Sequence, residues 1–197
     1  MESISLKIMN IDALNRVEEE IEQLQDTHEK ETRKHLLEAI WDKIRDYDAH
    51  ILDYEYKQHI LELSERGLEF VLVEKSHVTA KWDELFASTV SEQSRKHAKQ
   101  YNNQFKWHLF SFCLLDALKA DDARAAFDTI KKDTVYLFFQ YAKESFLVKN
   151  ASLLKAKDLD FDSDMDKADI YVFDPIEKWT YVKTHEKSCG PYFYCAE

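Results

Sequence analysis

The sequence predicts an α+β protein: an N-terminal helical hairpin followed by a mixed, mainly antiparallel sheet flanked by helices. Three observations predict it. From Ile4 to Leu63 no Gly or Pro interrupts a stretch whose apolar residues recur three and four apart. Beyond Gly67 the pattern changes to short β-branched and aromatic runs. Two of those runs, Asp169–Asp174 and Trp179–Glu186, flank Pro175 and a short polar connection, and they read as an antiparallel hairpin. That hairpin, closed by Gly190-Pro191, is the stretch on which the rest of the sheet is expected to assemble.

In chain order, Ile8, Ile11, Leu14, Val17, Ile21 and Leu24 give the first helix one apolar stripe. Gln25–His35 is polar, and Asp26 with Glu29 resembles a capping box, so a second helix starts there. Leu36, Leu37, Ile40, Trp41, Ile44, Tyr47, Ile51, Leu52 and Ile60 give that helix a broader stripe. Two helices packed as a hairpin satisfy this pattern, and so does one long bent helix. Gly67 suits a left-handed C-cap, which sets the expected domains at 1–65 and 66–197.

Leu68–Val73 is a nearly continuous apolar run and suits a strand buried on both faces. Thr79–Phe86 reads as a helix with Trp82, Leu85 and Phe86 inward, and Ser91–Tyr101 as a polar helix. Gln104–Leu118 reads as a helix apolar almost all round. Asp121 or Asp122 caps a short helix through Phe127 and Ile130. Val135–Tyr141 and Ser145–Val148 read as strands joined at Ala142–Glu144. Leu153 and Leu154 belong to a short helical piece, and an acidic connection, Asp158–Asp166, leads into the hairpin.

Composition excludes several activities. The 197 residues hold only two glycines and two prolines, so no phosphate-cradling loop, dinucleotide fingerprint or Gly-x-Ser-x-Gly elbow can be written. There is no run of about 18 apolar residues, so no membrane span is expected. The opening residues lack a basic head followed by an apolar stretch, which argues against a secretory signal. Three cysteines suit a reducing cytoplasm better than a disulfide framework. Net charge is −11, and residues 1–66, with 17 acids and 9 bases, hold most of the excess. Such a surface repels phosphate backbones and attracts a basic protein.

Few residue groups offer chemistry. His185-Glu186 at a strand end, together with His108, is the best acid–base candidate, although no nucleophile or oxyanion donor accompanies it. His185, Cys189 and Cys195, with His108 or Cys113, lack the paired spacing of known zinc sites, and Cys113 is expected to fill core space. Asp160, Asp162, Asp164 and Asp166 alternate like a calcium loop but lack its sixth-position Gly and its closing Glu. Asp46, His50 and Asp53 share a helical face that Lys57 continues, as on a solvated charged surface. No metal and no cofactor is expected.

Trp107-His108-Leu109-Phe110-Ser111-Phe112, Val135–Gln140, Asp169–Asp174, and Trp179–Glu186 with Gly190-Pro191-Tyr192-Phe193 resemble an uncharacterised family of small bacterial proteins, mostly from spore-forming Gram-positives, known only as a domain of unknown function. The resemblance covers roughly Gly67 to Phe193 and implies a cytoplasmic bacterial protein, with no established activity and no catalytic residues. Residues 1–66 fall outside it.

The expected function is therefore a non-enzymatic cytoplasmic protein-binding module of immunity, antitoxin or phage-defence type. Its contact residues are expected among Glu18, Glu19 and Glu22, facing a basic partner, and among the aromatics Tyr192 and Phe193. The alternative is a small enzyme using His108, His185 and Glu186 in a cleft at the C-terminal hairpin; a third reading is DNA mimicry by the acidic helices. No direct nucleic-acid binding is expected, and the N-terminal helices suit a homodimer as well as an intrachain hairpin.

Overall fold

Near-continuous apolar runs commit both faces of the central strands to burial, and the chain answers with helices on each side. The computed structural model describes residues 11–91, 93–94, 105–140, 143–160, 169–186 and 188–196. The strands are β1 Glu69–Val73, β2 Leu118–Lys119, β3 Thr134–Phe139, β4 Ser145–Lys149, β5 Ile170–Asp174, β6 Trp179–Lys183 and β7 Tyr192–Cys195. They form one seven-stranded sheet in the order β1-β4-β3-β5-β6-β7-β2. Every described pairing is antiparallel. The helices are α1 Ile11–Glu22, α2 Thr27–Glu65, α3 Lys75–Trp82, α4 His108–Ser111 and α5 Ala120–Thr129. The chain divides into two compact units, Met1–Tyr54 and Glu55–Glu197.

The first unit holds α1 and most of α2, so its helices are two and not one bent rod. Asp26 caps α2: its Oδ1 accepts the Glu29 backbone N–H at 2.8 Å. Ile21 of α1 and Leu37 and Ile44 of α2 are buried. Lys30 and Lys34 both reach Glu22, at 2.8 and 2.7 Å. Ile8 lies outside the described residues.

In the second unit α2 ends in a Schellman motif. Gly67 takes φ +104, its N–H bonds Ser64 O at 2.9 Å, and Leu68 N–H bonds Leu63 O at 3.3 Å. Leu63 and Leu68, the pair that this motif brings together, are both buried. β1 follows as an edge strand with Leu72 67% exposed, so the expectation of a strand buried on both faces fails. An apolar run of five residues does not reveal whether it lies inside a sheet or at its rim.

One face of the sheet carries Phe138, Tyr171, Phe173, Val182 and Tyr192 and packs on Val78, Trp82, Phe86, Trp107 and Phe110. α3 reaches this face by running into a π-type turn, Asp83–Ala87, so that Trp82 and Phe86 both point inward. The Trp82 indole donates to Thr180 Oγ1 at 2.9 Å, which satisfies a fully buried N–H. On the opposite face Phe127 of α5 stacks on Tyr181, ring centres 4.4 Å apart, and Tyr56 of α2 meets Phe139 edge-on at 4.6 Å. All five β6 residues are buried, so neither face of the organising hairpin is open.

The expected long helix Gln104–Leu118 is corrected to the single turn α4, with Cys113 at φ 53 just beyond it. All-round apolarity gave that segment no period to hold a helix in register with one surface. The chain instead inserts Trp107, Leu109 and Phe110 into the sheet layer and leaves Phe112 and Cys113 exposed, so Cys113 is not core filler. Residues 95–101 of the expected polar helix Ser91–Tyr101 and residues 161–166 of the acidic connection lie outside the described residues.

A Cβ on residue 67 would sit 3.3 Å from Leu153 Cδ1 on a backbone that L-residues rarely adopt. Gly67→Ala is expected to lower stability by about 1–2 kcal/mol, read as a shift in the urea midpoint at unchanged slope.

Candidate functional site

Register alone brings the site together. Ile170 of β5 pairs with Lys183 of β6, which sets Asp169 opposite the Thr184-His185 corner. Asp169 is fully buried, and a buried carboxylate must be satisfied by hydrogen bonds. Its Oδ1 accepts the His185 backbone N–H and faces His185 Nδ1, each at 2.8 Å. Its Oδ2 accepts the Trp107 indole N–H at 3.0 Å. Its backbone carbonyl accepts the Gln140 N–H at 2.8 Å. One residue therefore joins the starts of α4 and β5, the end of β6 and the residue after β3.

Because the carboxylate is an acceptor, Nδ1 of His185 carries a proton, and Nε2 lies on the side away from Asp169. The His185 side chain is 26% exposed, and Glu186 Oε1 stands 3.9 Å from Nε2. That arrangement suits proton exchange with a group arriving from solvent. His108 is held differently. Its Nδ1 lies 2.9 Å from Ser111 Oγ, and its Nε2 is buried with no hydrogen-bond partner among the described residues. Burial, with the nearby His185 adding to it, pushes His108 below its ordinary value of 6.5, although Glu186 and Asp169 oppose the shift.

The structure brings His108, His185 and Glu186 into one neighbourhood, and two aromatic side chains touch both imidazoles. The buried Trp107 ring contacts both, at 4.1 Å from His108 and 5.9 Å from His185 between ring centres. Phe105 also touches both, at 5.7 and 5.0 Å. Asp169 and Trp107 were not singled out as site residues. The signal was available, since Asp169 heads one strand of the hairpin and His185 follows the other.

The remaining candidates are dispersed. Glu18, Glu19 and Glu22 are exposed on α1, and Lys30 and Lys34 hold the Glu22 carboxyl down to about 2. Tyr192 and Phe193 are buried, Tyr192 stacked on Phe110 and Phe193 on Trp179, and they offer no surface to a partner. Cys113, Cys189 and Cys195 are free thiols. Among the described residues no group of three His, Cys, Asp or Glu side chains is placed to hold a metal ion. Asp160 is paired with Arg124, and Asp46 with Lys43. Among the described residues no helix is long and apolar enough to cross a membrane.

Fold and site together define an α+β domain built on a buried carboxylate–imidazole pair. The chain belongs to the family described as Domain of unknown function (DUF4275), whose model matches residues 74–193. That span contains Trp107, His108, Asp169, His185 and Glu186. No curated protein and no solved structure matches the chain.

Removing the Asp169 carboxylate strands three donors, the Trp107 indole N–H and the backbone and Nδ1 N–H groups of His185. Asp169→Ala is expected to cost about 2–4 kcal/mol in denaturant unfolding. His108 supplies a pH dependence. Its folded-state value lies below 6.5, so from there downwards the unfolded chain binds the extra proton and stability falls as pH falls. The midpoint should drop more steeply from neutral to mildly acid pH in the wild type than in His108→Gln.

Proposed function

We propose that the chain is a non-enzymatic protein-binding module of immunity or antitoxin type that engages a basic partner through the Met1–Tyr54 unit. The observation that carries this reading is a groove of about 320 Å³ between α1 and α2. Ile21, Leu37 and Trp41 supply its apolar lining, Glu18, Glu22 and Glu38 its carboxylates, and Lys34 and Arg45 two cations. Glu22 is held by Lys30 and Lys34. Glu18 and Glu38 make no ion pair among the described residues. A partner Lys or Arg laid across Trp41 would bury its methylenes on the indole and bring its charge to those two acids. The net −8 of residues 1–66 would steer such a partner inward.

Acid–base chemistry at His185 is the second reading. It is favoured by the Asp169 hydrogen bond and by the exposure of the imidazole. It is weakened by the Phe105 and Trp107 rings packed against the imidazole. DNA mimicry has the least support. Glu29, Asp42 and Asp46 are each paired with a cation on the same helix, unlike a uniform row of phosphates.

The test is recovery of a stoichiometric protein from host lysate on immobilised chain, followed by titration of that partner. Glu18→Lys with Glu38→Lys should weaken binding by about tenfold or more. His185→Gln should leave it unchanged. The reverse pattern, or no stoichiometric partner at all, would remove the binding reading and promote the second.

A further inference from the structure

We infer that the chain forms a twofold dimer by pairing β1 edge to edge with the β1 of a second copy, antiparallel and centred on Val71. The inference goes beyond the groove reading and stands on residues of the Glu55–Glu197 unit alone.

Hydrogen-bond parity shows which backbone groups the edge leaves outward. Gln140 N–H donates to Asp169 O, so Gln140, and with it Phe138 and Tyr136 of β3, turn their backbone groups to β5. Val135 and Leu137 then point at β4, where their partners Val148 and Phe146 point back at β3. Ser145, Leu147 and Lys149 are left to face β1, and they take up the N–H and C=O groups of Val73, Val71 and Glu69. Phe70 and Leu72 therefore direct both of their groups away from the sheet, and no described strand pairs with that side of β1. The ends of this row are already committed. Leu68 N–H bonds Leu63 O at 3.3 Å, and Glu74 O accepts the Val78 N–H at 3.2 Å as α3 begins.

Two outward residues on either side of Val71 fix both the occupant and the register. An antiparallel second copy centred on Val71 sets Phe70 opposite Leu72 of the other copy, and each such pair exchanges two N–H···O=C bonds. Centring on Phe70 would call on Leu68, and centring on Leu72 would call on Glu74, which are held within the chain. The side chains agree. Leu72 is 67% exposed and would lie against Phe70 of the other copy, while Val71, 36% exposed, would meet its own counterpart. Glu69, the one charged residue of β1, would stand opposite Val73, so no like charges face each other. β1 carries neither Pro nor Lys, the usual guards of an exposed edge, whereas the opposite edge, β2, is only two residues long. One edge complementary to itself and one too short to pair close the assembly at two copies.

The test uses the full chain. Light scattering at micromolar concentration should give twice the chain mass. Val71→Lys with Leu72→Lys, both at exposed positions, should halve it at unchanged circular dichroism. Glu18→Lys with Glu38→Lys, in the groove, should leave it doubled. Exchange of the Phe70 and Leu72 amide hydrogens should slow as protein concentration rises. With Cys113, Cys189 and Cys195 replaced by Ser, Val71→Cys should form disulfide-linked dimers under mild oxidation, because Val71 lies on the axis, and Glu69→Cys should not. A monomeric wild type, a dimer that survives Val71→Lys with Leu72→Lys, loss of the dimer in the groove variant, or Glu69→Cys crosslinking as readily as Val71→Cys would overturn the proposal.

Discussion

The second unit depends on a single buried carboxylate. Asp169 has no exposed surface, and such a group persists only where donors surround it. Those donors come from separate parts of the sequence: the indole of Trp107 and the backbone and ring of His185. The strand register supplies His185, because Ile170 must face Lys183. The short α4 supplies Trp107, and the Tyr171 hydroxyl, which accepts the Trp107 backbone N–H at 3.2 Å, steadies it. A slip of one residue between β5 and β6 would move Asp169 out of reach and turn every aromatic of the hairpin to the wrong face.

Scarcity of glycine imposes a second constraint, and the backbone shows how it is met. Cys113, Ala120, Asn150 and Lys178 take φ between 50 and 56, a left-handed conformation that side chains tolerate at some cost. Lys178 lies in a turn that Asp174 braces, its Oδ1 accepting the N–H groups of Ile176 and Glu177 at 2.7 and 3.1 Å. The two glycines stand where φ reaches +104 and +102, beyond the range of the other four. At Gly190 a Cβ would also meet Thr184 Oγ1 at 3.0 Å, beside the Asp169–His185 contact. Glycine therefore appears where no other residue fits, and turns elsewhere are made without it.

What the sequence disclosed follows the same physics. The hairpin Ile170–Lys183, the cap at Asp26 and the Schellman end at Gly67 were legible because each is a local pattern with a local cause. The short α4 was not. Trp107, Leu109 and Phe110 are apolar for the sake of Phe138, Tyr171 and Phe173, which lie far along the chain. The edge position of β1 was hidden for a related reason, since strand order is set by partners and not by the strand's own residues. For the site, the histidines were visible as types, while the controlling Asp169 looked like an ordinary strand-leading acid until the register placed it.

The matched family span, residues 74–193, holds the aromatic layers and the Asp169–His185 pair, whereas the groove and the β1 edge precede it. These parts are built on different principles. The matched span buries most of its aromatics and surrounds the Asp169 carboxylate with its own donors, leaving the His185 imidazole partly exposed. The helices before it leave carboxylates, an indole and several large apolar side chains facing outward. Surfaces of that kind are stabilised by contact with other chains, while a satisfied core is indifferent to them. On the proposed reading partner choice belongs to α1 and α2, while the family match covers most of the sheet and the carboxylate that pins it.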